Sequence, residues 1–223
     1  MQNSYIWSIT QKRQAIDMDT FWSKSWGAVD HRRIDEYIAH MSMEPDEIIS
    51  FLKNHHVHTV CDAGCGCGIY TAKLLHYGFR MAGFDISEAA IEIAKAHAAP
   101  ADLKAVDIIS TGYPSSYFDA VVAIDVLDHM SFFDARQAII ELYRIVKPGG
   151  YICFTLDTID EEYITEPHIQ NDQGDLIYTE GRWAGMIFHA YSNQEIPNLL
   201  PAGTVYRISN KADHLTVILS KPQ

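Results

Sequence analysis

Short β-branched runs alternate with amphipathic stretches from residue 57 onward. Val57 to Cys61, Arg80 to Phe84 and Leu103 to Val106 predict three strands, and Phe118 to Asp125 and Tyr151 to Leu156 predict two more. The run from Phe118 is apolar on both pleat faces, as expected for a central strand that helices cover on each side. The alternation therefore predicts an α/β fold, with a doubly wound, mostly parallel sheet.

Helix signals separate these strands. The first helix is expected to end at Gly78, and the second to begin after Ser87 and stop before Pro100. Asp134 is expected to cap the third helix, which the KPGG run at Lys147 to Gly150 ends. Each helix thus connects two strands of one sheet.

A single domain with four parts accounts for the whole pattern. Two short strands near residue 223 are separated by a turn-like segment and predict an antiparallel closing hairpin. The expected parts are a helical N-terminal cap over residues 1–56, with a helix from Pro45 to Lys53, and a core over 57–156. A polar, irregular lid over 157–191 precedes a closing helix and strands over 192–223, the helix starting at a capping box of Ser192 and Glu195.

Composition narrows the class of function. The formal net charge is −12, and no run of lysine and arginine offsets it, so a nucleic-acid partner is disfavoured. Apolar runs fall far short of the roughly 20 residues of a membrane span, and the first residues contain no leader pattern, so a cytoplasmic protein is expected. The four cysteines lack paired zinc spacing, so no metal is expected. The oligomeric state is not indicated.

The segment VCDAGCGCG, Val60 to Gly68, carries the strongest chemical signal. It joins a strand end, the acidic Asp62 and three alternating glycines to a helix start, where backbone approaches a ligand closely and free N–H groups are available. Asp85 follows the next strand and Asp107 the third. All three acids lie at carboxyl ends of parallel strands, where open α/β sheets bind ligands.

This order of residues resembles the class I S-adenosylmethionine-dependent methyltransferases. Their pattern is a D-x-G-x-G-x-G loop, an acidic residue for the ribose and a third acidic residue, and the resemblance covers residues 57–156. FDAVVAIDVLDHM and LYRIVKPGGYICF are similar to that family's later motifs. The resemblance implies that S-adenosylmethionine is the cofactor, and that it is bound by Asp62, Gly64, Gly66, Gly68, Asp85, Ile86, Asp107, Ile108, Ile124 and Asp125.

Two other functions were weighed against methyl transfer. A nicotinamide-dependent oxidoreductase shares the glycine loop and the acid after strand two, but Ile69 occupies the place of the small third residue of its fingerprint. A domain that binds S-adenosylmethionine without turnover, as a sensor or partner subunit, is a third possibility that the motif alone does not exclude. Methyl transfer to a small-molecule acceptor is the reading that the whole pattern favours.

Candidate catalytic and acceptor-binding residues lie outside the glycine loop. His129 and Asp125 follow strand four and are candidate proton acceptors, although His129 also suits simple packing. Trp22 and Trp26 suit either an aromatic wall of the acceptor site or a stripe that docks a helix. His189 and Tyr191 are further acceptor-binding candidates, and the acidic lid favours a neutral or cationic acceptor, unless the lid merely covers a sheet edge.

Overall fold

The computed structural model describes residues 18–159, 161–211 and 214–223. These residues form ten strands and eight α-helices. The strands are β1 Thr59–Ala63, β2 Arg80–Asp85, β3 Asp102–Ala105, β4 Phe118–Ala123, β5 Val146–Asp157, β6 His168–Gln170, β7 Leu176–Tyr178, β8 Ile187–Phe188, β9 Val205–Asn210 and β10 His214–Ser220. The helices are α1 Met18–Gly27, α2 His31–His40, α3 Glu47–Asn54, α4 Ile69–His76, α5 Glu88–His97, α6 Phe132–Ile145, α7 Glu161–Thr165 and α8 Ile196–Leu199.

Seven strands form the central sheet, in the order β3-β2-β1-β4-β5-β10-β9. Neighbours from β3 to β5 are parallel, whereas β10 pairs antiparallel with both β5 and β9. The strand order reverses between β1 and β4, which places a crevice at their carboxyl ends. The predicted mostly parallel α/β sheet and its antiparallel closing hairpin are confirmed.

Apolar side chains cover both faces of the sheet. Val121 of β4 packs in a buried cluster with Leu142 of α6, while its neighbour Val122 packs in a second cluster with Leu52 of α3. Each fully buried aliphatic side chain contributes about 1.5–3 kcal/mol relative to an exposed one. Burial of alternate residues on opposite faces explains why β4 is apolar throughout, and it fixes the strand register.

The starts of helices α6 and α3 differ from the predicted ones. Helix α6 is capped by Ser131, whose Oγ accepts from Asp134 N (3.1 Å) and donates to Asp134 Oδ2 (2.8 Å). The prediction that Asp134 is the cap was wrong, because Asp134 is the third residue of the helix and pairs with the cap Ser131 in a capping box. Helix α3 begins at Glu47 after the cap Asp46, so Pro45 precedes the helix instead of entering its first turn.

Ser192 and Glu195 interact as expected but do not start the helix. Both Ser192 N and Ser192 Oγ donate to Glu195 Oε2, at 2.8 and 2.7 Å. Helix α8 begins only at Ile196 and lasts four residues. Because the proline at position 197 is pre-set for a first turn and cannot donate within a helix, the capping pair instead closes a turn ahead of α8.

The segment between β5 and α8 forms a second, small sheet in the order β6-β7-β8. Leu176, Tyr178, Met186 and Phe188 make its buried cluster, against which Phe21 of α1 packs. The expectation of an irregular segment was therefore wrong: it has a core of its own. None of the described helices is long and apolar enough to cross a bilayer.

Candidate active site

The glycine loop joins β1 to α4 and is fastened to the end of β2. Gly64 N and Cys65 N both donate to Phe84 O, at 2.8 and 2.9 Å, and Gly66 N donates to Asp85 Oδ2 at 2.9 Å. The backbone φ angle is +72° at Gly64 and +51° at Gly66, a region that residues with a Cβ rarely adopt. These hydrogen bonds and backbone angles together fix the shape of the loop.

Close packing is a second reason for glycine in this loop. A Cβ added to Gly64 would lie 2.6 Å from Val126 Cγ2, and one added to Gly66 would lie 2.8 Å from Trp26 Cζ2. At Gly68, an added Cβ would lie 2.9 Å from a side chain of α5. Trp26 and Val126 thus close over the loop, and only glycine leaves space for both the packing and a ligand.

Two buried acids flank the loop. Asp62, at the end of β1, accepts from Thr71 Oγ1 at 2.5 Å, and burial raises its pKa to about 7. Asp85 is 8% exposed, and its other oxygen, Oδ1, accepts from Ser87 N at 2.9 Å. Burial also raises the pKa of Asp85. Because a carboxylate oxygen has two lone pairs, each oxygen of Asp85 is able to accept one further donor.

One cavity of about 1020 Å³ extends from the glycine loop to the lid. Ligand pockets typically have volumes of about 300–1,000 Å³, so this cavity is at the upper end of that range. It therefore has room for two small molecules side by side. Its lining comes from α1, the carboxyl ends of β1 to β4, the start of α6 and the lid, and includes Trp22, Trp26, Asp62, Gly64, Gly66, Asp85, Ile86, Asp107, Ile108, Ile124, Asp125, His129, Asp134, Asn171, Asp175, Ile177 and Ile187.

Asp125 lies past the end of β4 in a strained conformation. Its φ is +54°, which is unusual for a residue with a Cβ and is often found at functional sites. Thr155 of β5 holds it there: Asp125 N donates to Thr155 Oγ1 at 2.9 Å, and that hydroxyl donates to Asp125 Oδ1 at 2.6 Å. The carboxylate is exposed, and it borders both the main cavity and a second one of about 310 Å³.

His129 lies between α1 and the lid. Its ring contacts Trp22 edge-on at a centroid distance of 5.3 Å and Phe188 at 5.8 Å. Burial lowers its pKa, although Asp157 and Asp125 act in the opposite direction. The imidazole is therefore neutral at neutral pH, and no described residue hydrogen bonds to its Nδ1.

Asp128 and Asp157 lie beside His129. Asp128 is fully buried, and its Oδ2 accepts from Asp157 N at 2.9 Å. Burial raises the pKa of Asp128 to about 7 and that of Asp157 to about 6; the charge of Asp125 adds to both shifts, and the charge of Asp128 adds to that of Asp157. Tyr163 donates to Asp157 Oδ2 at 3.1 Å. The second cavity opens on Asp157.

A buried pair fixes the lid to the core. His189 Nδ1 lies 2.7 Å from Asp175 Oδ1, and both side chains are 2% exposed. Asp175 Oδ1 also accepts from Phe132 N at the start of α6 (3.0 Å), while His189 N donates to Asp128 O at 2.7 Å. Because its buried groups are bonded to the core, the lid is held against the cavity that its residues help to line.

Comparison with known proteins identifies this arrangement. Residues 61–154 match the family described as methyltransferase domain, a span that runs from β1 through the glycine loop to β5. A ubiquinone biosynthesis O-methyltransferase from Nitrosomonas europaea is 32% identical over 126 residues, 53% of this chain and 51% of the relative. A tRNA (carboxymethyluridine(34)-5-O)-methyltransferase from Arabidopsis thaliana is 35% identical over 104 residues, 46% of this chain and 25% of the relative.

Solved structures share the fold. A methyltransferase from Methanosarcina mazei described as SAM-dependent has a TM-score of 0.66 at 22% identity, covering 80% of this chain and 99% of its own. The 1,6-didemethyltoxoflavin-N1-methyltransferase from Burkholderia thailandensis, solved with 1,6-didemethyltoxoflavin and S-adenosylhomocysteine, has a TM-score of 0.61 at 16% identity and covers 92% and 88%. The chain thus contains, over residues 61–154, a methyltransferase domain with the fold of S-adenosylmethionine-dependent methyltransferases. It spans about half the length of the ubiquinone-pathway relatives that it matches.

Most of the sequence-predicted residues meet in the main cavity. Its lining contains the predicted cofactor residues other than Gly68, and it contains Trp22, Trp26, Asp125 and His129. Their individual roles stay predictions. His189 and Tyr191 are buried behind the lining, so the structure does not bring them to the cavity.

Sequence reasoning missed three groups of functional candidates. Thr155 holds Asp125, Asp175 faces the cavity from the lid, and Asp128 and Asp157 flank His129. Asp128 stands beside His129 in the DHM run, but its burial depends on the lid packing over it. No local signal in the sequence links residues 128, 157 and 175.

Proposed function

We propose that this chain transfers the methyl group of S-adenosylmethionine to a neutral or cationic small molecule. One observation carries the proposal: a single cavity joins the glycine loop to a pocket closed by α1 and the lid. A donor and an acceptor held side by side in such a cavity meet in a fixed geometry. Positioning of this kind lowers a barrier by about 7–11 kcal/mol in favourable cases.

The cofactor end of the cavity fits S-adenosylmethionine. Asp85, which has a free lone pair on each oxygen, is placed for the ribose hydroxyls, and Asp62 for the ammonium group. Asp107 and Ile108 border the expected adenine position, and Ile86 and Ile124 supply apolar walls. The free N–H groups at the start of α4 suit the cofactor's carboxylate.

The acceptor end lies between Trp22, His129 and the lid. The cofactor supplies a methyl group already activated on a sulfonium, so the acceptor's nucleophilic atom bonds to that carbon as its bond to sulfur breaks. The acceptor's proton needs a base. We assign this to Asp125, whose exposed carboxylate borders the cavity and is held in place by Thr155.

Charge supports a neutral or cationic acceptor. Asp125, Asp134 and Asp175 line the acceptor end, and no described lysine or arginine lines the main cavity. An anionic acceptor would be repelled there. The net charge of −12 on the whole chain would likewise repel a nucleic acid. The relative acting on tRNA therefore suggests the acceptor class less well than the relatives named for ubiquinone biosynthesis and for 1,6-didemethyltoxoflavin.

We propose a division of labour within one domain over residues 1–223. Residues 57–156 bind the cofactor, residues 157–191 cover the acceptor, and residues 192–223 close the sheet. The described part of the N-terminal cap, α1 to α3, completes the cavity wall, since Trp22 and Trp26 of α1 line the cavity. Residues 1–17 of the cap lie outside the described residues.

Ligand-dependent melting tests the cofactor assignment. S-adenosylmethionine and S-adenosylhomocysteine are expected to raise the melting temperature, because a ligand that binds only the folded state stabilises it. NADH is expected to leave it unchanged. Stabilisation by NADH alone would replace the proposal with the oxidoreductase alternative. Stabilisation by S-adenosylmethionine without methyl transfer to any component of a cell extract would favour the sensor alternative.

A lid variant tests where the acceptor binds. Replacing Ile164 to Phe188 by a short Gly/Ser linker is expected to keep cofactor affinity within a few-fold and to abolish methyl transfer. Two point variants refine the test: Ile177→Ala changes the cavity lining, whereas Ile169→Ala changes an exposed lid residue. We expect a raised KM for the acceptor in Ile177→Ala alone. Full activity of the linker variant would remove the lid from the acceptor site.

A further inference from the structure

Asp128, His129 and Asp157 converge where the 3₁₀ turn after β4 meets the end of β5. Each residue offers one ligand atom, and these three atoms lie within 4.8 Å of one another. Metal ligands bound at about 2.0–2.2 Å lie at most about 4.4 Å apart, so a shift of under about 1 Å would bring all three onto one ion. The cluster is built from elements of the rigid sheet edge and not from an exposed loop.

The hydrogen bonding of the cluster is incomplete. Asp128 is 0% exposed, yet its Oδ1 accepts no hydrogen bond from any described residue, and His129 Nδ1 is likewise buried without a described partner. Among the described ion pairs, none joins Asp128 or Asp157 to a lysine or arginine. A fully buried carboxylate such as that of Asp128 is costly without a counter-charge, which makes this cluster a place for a cation.

We propose that Asp128, His129 and Asp157 form a binding site for a first-row divalent transition-metal ion. One imidazole and two carboxylates are a ligand set that such ions favour, whereas Mg²⁺ prefers oxygen ligands and keeps several waters. The site lies between the two cavities, since His129 lines the main one and Asp157 the second. The remaining coordination positions are therefore open to water or to a molecule in either cavity.

The site complements the proposed methyl transfer without depending on it. Asp125 remains the proposed proton acceptor, and His129 acts as a ligand through a ring that Trp22 and Phe188 orient. Metal binding can be measured without cofactor, acceptor or turnover. A failed binding test would remove the metal site and leave the methyltransferase proposal standing.

Mn²⁺ binding to the chelator-treated protein is the direct test. Equilibrium dialysis with elemental analysis is expected to give one Mn²⁺ per chain, and electron paramagnetic resonance is expected to show coupling to one imidazole nitrogen. Zn²⁺ is expected to displace the Mn²⁺, following the usual affinity order of divalent ions. Absence of saturable binding at millimolar Mn²⁺ would overturn the proposal.

Variants locate the ion. Asp128→Asn and Asp157→Asn are near-isosteric and are each expected to weaken Mn²⁺ binding by about 100-fold or more, since even outer-shell partners are worth about 10–100-fold. His129→Gln is expected to abolish the nitrogen coupling. Asp172→Asn, at an exposed lid carboxylate, is the matched control and is expected to bind normally. A cooperative thermal unfolding transition like that of the wild type reports that each variant is folded. Equal Mn²⁺ affinity in the control and in the three site variants would place the ion elsewhere and refute the assignment.

Discussion

Replacing Asp85 by alanine tests the register of the whole cofactor site. The carboxylate has two sets of expected partners: the backbone N–H groups of Gly66 and Ser87, each at 2.9 Å, and the two ribose hydroxyls. The first set acts with or without cofactor, and the second acts only when cofactor is bound. Stability of the free protein and affinity for the cofactor therefore report on different bonds.

The magnitudes follow from the strength of hydrogen bonds to a charged group, about 1.5–3 kcal/mol. If Asp85→Ala removes ribose hydrogen bonds of this total free energy, cofactor binding weakens by about 10- to 150-fold. The free protein loses less than about 3 kcal/mol, because removing the backbone acceptor is offset by relief from burying the carboxylate. That burial is the main reason why the pKa of Asp85 is raised.

Calorimetric titration with S-adenosylhomocysteine gives the affinity, and urea denaturation gives the stability. Asp85→Asn keeps one acceptor oxygen and is expected to fall between the wild type and Asp85→Ala. Asp102→Asn, at an exposed position on the neighbouring strand β3, is the control and is expected to change neither quantity. Unchanged affinity in a folded Asp85→Ala protein would mean that the ribose lies elsewhere, and the assignment of the loop would fail with it.

Three further substitutions probe other parts of the site. Burial holds the pKa of Asp62 at about 7, and the ammonium group of a bound cofactor favours the charged carboxylate. The affinity for S-adenosylhomocysteine is therefore expected to rise about tenfold between about pH 6 and pH 8, as Asp62 loses its proton. Calorimetry of Asp62→Asn is expected to show a flatter pH profile. Gly66→Val is expected to abolish cofactor binding. Gly78→Val is the control: Gly78 also has a positive φ, +84°, but a Cβ added there would have no heavy atom within 4 Å, so this variant carries similar backbone strain and is expected to bind the cofactor. Phe188→Ala, at a fully buried lid position, is expected to lower the free energy of unfolding by about 3–5 kcal/mol in urea denaturation, against under about 0.5 kcal/mol for the exposed Phe133→Ala.

The convergence of the glycine loop, Asp62 and Asp85 at one cavity could be predicted because its signals are local. A strand end, an acid and alternating glycines must lie at one sheet edge once the strands are parallel, so residues 60–68 and Asp85 follow from the chain order alone. Ser87 was a correct cap for the same reason. Asp134 was assigned wrongly because Ser131 and Asp134 are both good caps, and the sequence does not say which of the two has the extended backbone.

The lid side of the cavity could not be predicted to the same depth. Strands β6 to β8 have only two or three residues each, too few to show an alternating pattern, so the lid read as irregular. The bond between Asp175 and His189 forms only after these strands pair. The burial of Asp128 likewise depends on packing between segments distant in the chain. Such contacts are products of tertiary structure and leave no periodic trace in the sequence.

Helix α1 makes three contacts that constrain one another. Trp26 packs on Gly66 of the glycine loop, Trp22 packs on the ring of His129, and Phe21 packs on the lid cluster. These residues occupy fewer than two turns of a ten-residue helix, so their side chains keep fixed positions relative to one another when the helix shifts. A mutation that tilts this helix to enlarge the proposed acceptor end of the cavity therefore also moves Trp26, which packs on the glycine loop at the proposed cofactor end. Redesign for a bulkier acceptor is accordingly better attempted in the lid, at side chains such as Ile177 and Ile187, where the lining can change without disturbing the nucleoside end.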